Sequence, residues 1–233
     1  MAKIRKFTVF ILTSLLTLCF STISKAQDSY YEEPQRTFIG GLLLGTNFTQ
    51  VDGDNYAGYH KVGLNAGGIM YMNMGEKLAA SLELLYSQKG SKSNGIQPSR
   101  NGAFDVVRYD IKLNYAEIPI MLNYFDRRKS HFGAGFSYSR LISSKETLEA
   151  INGTDSNANQ FDTRFPFKKS DINFVLSGNL HLAGGFFLNY HFQYSLATIR
   201  TVVDPELGRR SAKDGTSAQQ FNNMHVLRLM YLF

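Results

Sequence analysis

The chain has 233 residues, of which 43% are hydrophobic and 19% are charged, with a formal net charge of +6 and a single cysteine. No stretch after Phe20 is long and apolar enough to form a membrane-spanning helix. Cys19 lies in a segment that we expect to be removed, which excludes a disulfide, a thiolate nucleophile and a cysteine-based zinc site in the mature protein.

Residues 1–26 have the features of a secretory signal peptide. After a basic start, Phe7 to Phe20 form an apolar run of about 14 residues, and Ser24 and Ala26 place small residues where a signal peptidase reads the chain. The run is shorter than the roughly 20 residues that a transmembrane anchor needs. Leu18 is too large for the position before a lipidated Cys19. We therefore predict export and cleavage after Ala26.

Removal of this signal nearly neutralises the chain. It takes away four of the 25 basic residues, which leaves 21 basic against 19 acidic residues and a net charge of +2. The basic residues that are lost are Lys3, Arg5, Lys6 and Lys25. A nearly neutral mature chain gives little reason to expect a nucleic-acid partner.

From residue 36 onward, apolar and polar residues alternate with a period of two. In the stretch KVGLNAGGIMYMNM, Val62, Leu64 and Met70 share one parity, whereas Lys61 and Asn65 have the other. Because successive side chains of a strand point to opposite faces, this pattern predicts β-structure. The predicted strands are Arg36 to Phe48, His60 to Met74, Leu78 to Gly90, Val106 to Phe125, His131 to Ser143, Asp171 to Leu182, Phe186 to Ile199 and Phe221 to Phe233.

The connections between these eight segments alternate in length. The tight ones lie near Gly75, at Asp126 to Ser130 and at Ala183 to Gly185. The long ones are Thr49 to Tyr59, Ser91 to Asp105, Ser144 to Ser170 and Arg200 to Gln220. All the long loops are therefore expected on one side of the sheet, as in barrels with short periplasmic turns and long external loops.

The distribution of polarity between the two faces distinguishes two kinds of barrel. A soluble eight-stranded barrel needs an apolar interior and a polar exterior. Here one face is small, polar or charged, and the other is aliphatic with aromatic residues toward the strand ends. We predict an all-β fold, an eight-stranded antiparallel up-and-down transmembrane β-barrel at residues 36–233, in the outer membrane of a Gram-negative bacterium. Residues 27–35 are expected to be a short periplasmic segment.

The chain ends on an aromatic residue of regular parity. Leu227, Leu229, Tyr231 and Phe233 share one face, which we expect to contact lipid, with the terminal ring at the periplasmic interface. This pattern resembles the carboxy-terminal assembly signal that the barrel-insertion machinery recognises. An ordinary edge strand that ends on Phe is the alternative.

Three further stretches, GGLLLGTNFTQVDGDNYAGYHKVGLNAGGIMY, SLELLYSQKGS and YAEIPIMLNY, are similar to the PorT-like outer-membrane β-barrel family of Bacteroidota. The resemblance covers Phe38 to Phe233 and implies an eight-stranded barrel. It implies little about activity, because most members have no assigned role and one namesake is tied to a secretion system of that phylum. The residues that carry it are Gly41, Gly45, Gly58 to Gly67, Glu83, Tyr86, Lys89, Gly90 and Tyr115 to Pro119.

The fourth segment changes phase. Lys112 and Asn114 share the parity of the apolar residues Ile118 and Ile120. A bulge near Ala116 to Pro119 would restore the register and turn Glu117 inward. The charged residues then expected to converge in the lumen are Lys61, Glu83, Arg108, Lys112, Glu117 and Arg228.

Such a network has two interpretations. An eight-stranded barrel leaves room only for side chains, so mutual pairing would plug it. A small polar pore or a proton-linked site is the alternative.

Catalytic and metal sites are weakly indicated. His181 and His191 lie on neighbouring strands near Ser177 and Ser195, but a hydrolytic triad needs a geometry that a sequence does not show. Val51 to Asn55, VDGDN, lacks the further carboxylate of a calcium loop and suits a turn. We expect no catalytic residue, no metal and no cofactor.

The expected function is therefore structural or interactive. The loops Ser144 to Ser170 and Arg200 to Gln220 are the best binding candidates, because surface loops on a rigid scaffold carry binding. The positive charges near Lys168 and at Gly208 to Arg210 could contact anionic glycolipid or remain solvated. Expected partners are outer-membrane lipid and glycolipid, the insertion machinery, and an envelope protein, with a role accessory to secretion or to an envelope complex. A small polar channel and a membrane-embedded lipid hydrolase are the alternatives.

Overall fold

The alternating segments form long β-strands, because a period of two places all their apolar side chains on one face. This computed structural model describes residues 36–54, 58–93, 95–98, 105–126, 128–151, 166–200 and 219–233. Within these ranges lie eight long strands and one of two residues. They are β1 (Phe38–Asp52), β2 (Lys61–Asn73), β3 (Leu78–Lys92), β4 (Gln97–Pro98), β5 (Asp105–Phe125), β6 (His131–Ile151), β7 (Ser170–Ala183), β8 (Phe186–Ser195) and β9 (Phe221–Leu232).

The eight long strands close into a ring. Their order is β3, β2, β1, β9, β8, β7, β6, β5, and β5 pairs again with β3. All the pairs are antiparallel, and the first and last strands meet, with Gly45 opposite Arg228. Ring closure gives each long strand a partner on both sides, which satisfies the backbone hydrogen bonds that lipid cannot. The predicted fold class is confirmed.

No helix in the described ranges is long and apolar enough to cross a membrane. The predicted signal peptide and the segment at residues 27–35 lie outside the described residues, so both stay predictions.

The outward face of the ring is an apolar band. A strand rises roughly 3.3 Å per residue and is tilted by about 40° from the barrel axis, so the outward residues of β1 from Phe38 to Phe48 span about 25 Å along that axis. Exposed aromatic residues mark both borders of this band. They are Phe38, Tyr124, Phe132, Phe186, Tyr231 and Phe233 at the end with the tight turns, and Phe48, Tyr86, Tyr138 and Tyr190 at the other. By the rule that periplasmic turns are short, the first border is periplasmic and the second extracellular.

Several strands run further than their sequence pattern predicts. β6 continues to Ile151 rather than Ser143, and β1 and β3 end at Asp52 and Lys92. β6 is prolonged because β5 pairs with it as far as the contact of Asp105 with Ile151. We call residues 105–114 and 143–151 the β5–β6 extension.

The alternation of β5 shifts only at Val107 and continues without a phase change from Tyr109 to Tyr124, so the predicted bulge at Ala116 to Pro119 is wrong. Tyr109, Ile111, Leu113 and Tyr115 face the interior together with Glu117. Pairing of β3 with β5 keeps one register across Pro119, from Leu85–Glu117 to Leu82–Ile120.

The change of polarity has a different cause: the medium outside the strand changes. Below Ala116 the outward residues of β5 face lipid and are apolar, such as Ile120, whereas above it they face water and are charged, such as Lys112. A bulge does occur at this level, but in β6, where Ile142 is the extra residue between Leu141 and Ser143.

Candidate functional site

The interior of the ring is filled in three layers, which we name by their position along the barrel. The periplasmic layer is apolar and contains Leu43, Ile69, Tyr71, Ala79, Leu85, Phe187 and Met230. The extracellular layer is also apolar and contains Val51, Val106, Tyr109, Ile111, Leu113, Tyr115, Leu148, Phe167 and Ile199. The central layer is polar and includes Asn65, Glu83, Ser87, Lys89, Glu117, Ser137, Asp171, Asn173, Asn189, His191, Gln193, Ser195, Asn222 and Arg228, all buried.

The central layer is organised around Arg228 of β9. Its Nη1 lies 3.0 Å from Oε2 of Glu83 on β3, and both side chains have 0% exposure. The guanidinium also donates to Oδ1 of Asn65 at 3.1 Å and, through Nε, to Oδ1 of Asn189 at 2.7 Å. Its Nη2 lies 2.8 Å from Nε2 of His191. One cation therefore ties together side chains from β2, β3, β8 and β9.

Gly45 makes room for this cation. It lies opposite Arg228 on the neighbouring strand. A Cβ at position 45 would stand 2.9 Å from Cγ of Arg228 and 2.5 Å from its Cα. Close approach of a second backbone requires glycine at such a position. Arg228 can therefore take its position only because residue 45 on the neighbouring strand has no side chain.

A second centre of the same layer surrounds Lys89. Its Nζ lies 3.4 Å from Oε1 of Glu117 and 3.9 Å from Oδ2 of Asp171. Glu117 also accepts hydrogen bonds from Gln193 and, at 2.8 Å, from Ser137. Lys89 is therefore shared between two buried carboxylates, and the neutral donors Gln193 and Ser137 add hydrogen bonds to Oε1 of Glu117.

An ion pair also lies among the apolar residues of the extracellular layer. Nη2 of Arg200 lies 2.6 Å from Oε2 of Glu146, and Glu146 accepts a further hydrogen bond from the hydroxyl of Tyr109. The Arg200 guanidinium lies 3.6 Å from the ring centroid of Phe167. This pair joins β6 to the segment that follows β8.

Aromatic side chains fill the periplasmic layer. The hydroxyl of Tyr71 lies 2.8 Å from Nε2 of His131, and the His131 ring stacks on Phe125 with centroids 4.1 Å apart. Phe187 meets the same imidazole edge-on at 5.7 Å. Side chains thus occupy the barrel at this end as well.

The structure separates the predicted lumen network into two groups. Glu83, Glu117 and Arg228 lie in the central layer. The prediction for Arg108 and Lys112 is wrong: their side chains are 50% and 53% exposed and lie on the outward face. Together with Lys61 they surround Asp110, at the extracellular end of the ring.

Four residues of the interior ion pairs were not among the predicted lumen residues. Lys89 and Asp171 have the inward parity of their strands, so the alternation could have identified them. Glu146 and Arg200 fall in segments that the pattern assigned to loops, and no local signal marks them.

The histidine and serine pairs do not form a triad. His191 contacts Arg228, whereas His181 contacts the carbonyl of Gly184 in a periplasmic turn. Ser195 donates to Asp171 at 3.0 Å, and Ser177 accepts from Asn179. In the part of the chain that the structure describes, no group of three or more His, Cys, Asp or Glu side chains is placed to hold a metal ion.

The two remaining loop motifs are partly described. Asp52 accepts hydrogen bonds from Gln50 at 2.8 Å and from Asn223 at 3.2 Å, and Gly53 has a φ of 97°, which are features of a turn. Asn55 and the Gly208 to Arg210 stretch lie outside the described residues. Lys168 donates to Oγ1 of Thr198 at 2.5 Å.

The terminal strand has the predicted orientation. Leu227, Leu229, Tyr231 and Phe233 are all exposed on the outer face, Phe233 by 65%. The Phe233 ring covers Gly40, where an added Cβ would lie 3.1 Å from the ring, and the Phe233 amide donates to the Gly40 carbonyl at 3.0 Å. The last residue is therefore fixed against the first strand.

Comparisons with known proteins identify the family. Residues 25–200 match the model of the outer membrane protein beta-barrel domain. Ail, the attachment invasion locus protein of Yersinia pestis, is similar in fold, with 10% identity over 84% of this chain and 98% of Ail and a TM-score of 0.40. The outer membrane protein AlkL shows 13% identity over 89% of this chain and 97% of AlkL, with a TM-score of 0.36. Among curated proteins, none is significantly similar in sequence. The chain belongs to the family of outer membrane protein beta-barrel domains and resides in the outer membrane of a Gram-negative bacterium.

Proposed function

We propose that this protein is a non-conducting, non-enzymatic barrel that acts as a scaffold for an interaction at its extracellular end. The observation that carries the proposal is the filled interior, above all the buried pair of Glu83 and Arg228 at its centre. Water and ions need a continuous polar path, whereas apolar layers border the central charges at both ends.

The arrangement of polar side chains favours a scaffold over a hydrolase. A membrane-embedded hydrolase needs its nucleophile, base and orienting acid within hydrogen-bond reach of one another and of lipid. Here Ser195 and Asp171 are buried in the central layer, and the imidazole of His191 contacts Arg228. These groups act together as a packing network.

The β5–β6 extension supports an extracellular interaction. It projects beyond the apolar band as a pair of antiparallel strands, and its inner face packs through Tyr109, Ile111 and Leu148 into the extracellular layer. Binding surfaces commonly lie on segments that a rigid scaffold holds in place. We propose that the extension, with the connections that follow β6 and β8, contacts a protein of the cell envelope.

A narrower assignment follows the sequence resemblance. We propose that the chain is one of the PorT-like barrels of Bacteroidota, with an accessory role in a secretion or envelope complex. Several residues that carry the resemblance take part in interior contacts: Gly45 beside Arg228, Glu83 at its guanidinium, and Lys89 beside Glu117.

Planar-bilayer recording tests the closed interior. The full-length mature protein is expected to give no steady current. A double variant, Glu83→Ala with Arg228→Ala, removes the central ion pair and opens space, and is expected to give brief openings. A stable, ion-selective current from the unmodified protein would establish the channel alternative and overturn the proposal.

Site-specific crosslinking in native outer membranes tests the interaction. A photoreactive residue at Glu149, exposed on the extension, is expected to give a protein adduct of one defined mass. The matched control is the same residue at Glu76, exposed in a periplasmic turn, which should not give that adduct. Absence of a defined adduct at position 149 and at other exposed positions of the extension, such as Ile151, would overturn the assignment of this surface.

A further inference from the structure

One side of the barrel carries a cluster of cations just above the apolar band. The cations lie on the outer surface of β3, β5 and β6 and immediately before β7, and all are exposed. We call them the basic face: Lys92, Arg108, Lys112, Arg140, Lys145 and Lys169.

The basic face begins at the border between apolar band and water. Arg140 is the next outward residue after Tyr138 on β6 and lies opposite Ala116. One outward step is two residues, so Arg140 stands about 5 Å above the aromatic border, and Lys145 about 15 Å above it. These heights correspond to the headgroup region of the outer leaflet and the first sugars beyond it.

The positive charge exceeds the negative charge on this surface. Asp110 is shared by Lys61, by Lys112 at 3.7 Å and by Arg108 at 3.9 Å. Glu149 lies 3.8 Å from Arg108. Asp110 and Glu149 thus hold the side chains of the upper part of the basic face in place. Two carboxylates are too few to neutralise all its cations.

Two lysines of the face lie directly across from each other. Lys112 of β5 pairs in register with Lys145 of β6, and both are exposed. Like charges directly opposite on an antiparallel pair are destabilising. The backbone of Leu141 also donates to the carbonyl of Lys169 at 2.8 Å, which holds a further cation beside Arg140. An anion outside the protein would relieve this repulsion.

The opposite side of the ring differs at the same height. Where β1 meets β9, the outward polar residues are Gln50, Asp52 and Asn223, which hydrogen-bond to one another. The described part of the rim is therefore basic on one side and neutral to acidic on the other, so the surplus of cations is a local feature.

We infer that the basic face binds the phosphate groups of the outer-leaflet glycolipid. Lysine and arginine are the usual ligands of phosphate, as point charges and as bidentate donors. The lipid beside an outer-membrane barrel presents phosphates on its sugars at the height of Arg140 to Lys145. The strands already fix the positions of these cations, whereas charges on loops would lose conformational freedom when they bind a phosphate. Arg108, Lys112 and Lys145 of the basic face belong to the β5–β6 extension, but this inference does not depend on the proposed protein partner.

Binding of fluorescent bisphosphorylated lipid A to the detergent-folded full-length barrel tests this inference. The variant K112Q/R140Q/K145Q is expected to bind on the order of a hundredfold more weakly, at about fivefold per charge. The matched control K77Q/R128Q/K129Q removes three exposed cations at the periplasmic turns and should bind like the wild type. The variant K112R/K145R should retain binding. Gel mobility before and after heating shows that each variant is folded.

Chemically dephosphorylated lipid A distinguishes phosphate recognition from apolar contact. The wild type is expected to bind it as weakly as the triple variant binds the phosphorylated form. Equal wild-type binding of the two lipids, or equal binding of lipid A by the wild type and K112Q/R140Q/K145Q, would overturn the inference. Conductance and protein crosslinking are measured separately, so either proposal can fail alone.

Discussion

Arg228 on the last strand meets Glu83 on the third strand, 145 residues earlier, with Nη1 3.0 Å from Oε2 and neither side chain exposed. β9 reaches this position only when it pairs with β1. β1 pairs with β2, and β2 pairs with β3, the strand that carries Glu83. The ion pair therefore depends on closure of the ring. It couples the centre of the interior to the seam between the first and last strands.

Loss of Glu83 should destabilise the whole barrel. The variant Glu83→Gln leaves the Arg228 charge buried without its carboxylate, and breaking a buried pair costs about 3–5 kcal/mol. The free energy of unfolding is measured by urea titration in lipid vesicles, with the heat-modifiable gel band as the folded fraction. The control Glu76→Gln, in an exposed turn, should change it by less than about 0.5 kcal/mol. Equal values for the two variants would contradict the central role of the pair.

The boundary between lipid and water on β5 and β6 can be tested with two isoleucines of equal exposure. Ile120 lies in the apolar band, and Ile142 lies at the β6 bulge above the aromatic border; each is 60% exposed. Ile120→Arg should cost about 2–4 kcal/mol, because it places a charge in hydrocarbon, whereas Ile142→Arg should cost about 0–1 kcal/mol. The same vesicle titration measures both. A larger cost at Ile142 would show that the band extends further than its aromatic border.

The terminal ring is expected to matter for assembly. Phe233→Ser removes the aromatic contact with Gly40 and the apolar end of the lipid-facing stripe, and it should lower the amount of folded barrel in the outer membrane severalfold while export continues. Immunoblots of unheated membrane samples measure the folded form. Phe233→Tyr keeps an interfacial aromatic ring and should assemble normally. Wild-type levels of folded Phe233→Ser protein would remove the basis for an assembly signal.

The ion pair of Arg200 and Glu146 should hold the β5–β6 extension closed. Arg200→Gln leaves Glu146 buried without its cation, so the extension should open locally and trypsin should cleave it at Arg108, Lys112 or Lys145 at least about tenfold faster. Lys168→Gln, at an exposed position nearby, is the control. Unchanged cleavage in the Arg200 variant would mean that the apolar residues of the extracellular layer are sufficient to hold the extension closed without the ion pair.

Period-two alternation predicted the existence, order and number of the long strands. Within the apolar band, lipid favours apolar residues on the outer face of a strand, whereas the central layer of the interior favours small and polar ones, and each preference acts on one residue at a time. Glu83 and Arg228 were assigned to the interior for the same reason. The ends of the strands were less predictable, because β6 beyond Ser143 is stabilised by pairing with β5 rather than by its own composition.

The cause of the polarity change in β5 could not be predicted from the sequence, because it depends on how β5 packs against distant segments. A sequence records which face is apolar, but lipid outside and an apolar core inside favour the same residues. Tyr109, Ile111 and Leu113 therefore have the composition of a lipid-facing stripe, although they pack inside the ring, above the membrane. The pairing of Glu146 with Arg200, and the gathering of Lys61, Arg108 and Lys112 around Asp110, likewise depend on contacts between distant segments. The alternation of residues is enough to predict a barrel with two chemically distinct faces. How far neighbouring strands extend together decides which medium, lipid, water or packed interior, each face meets at a given height.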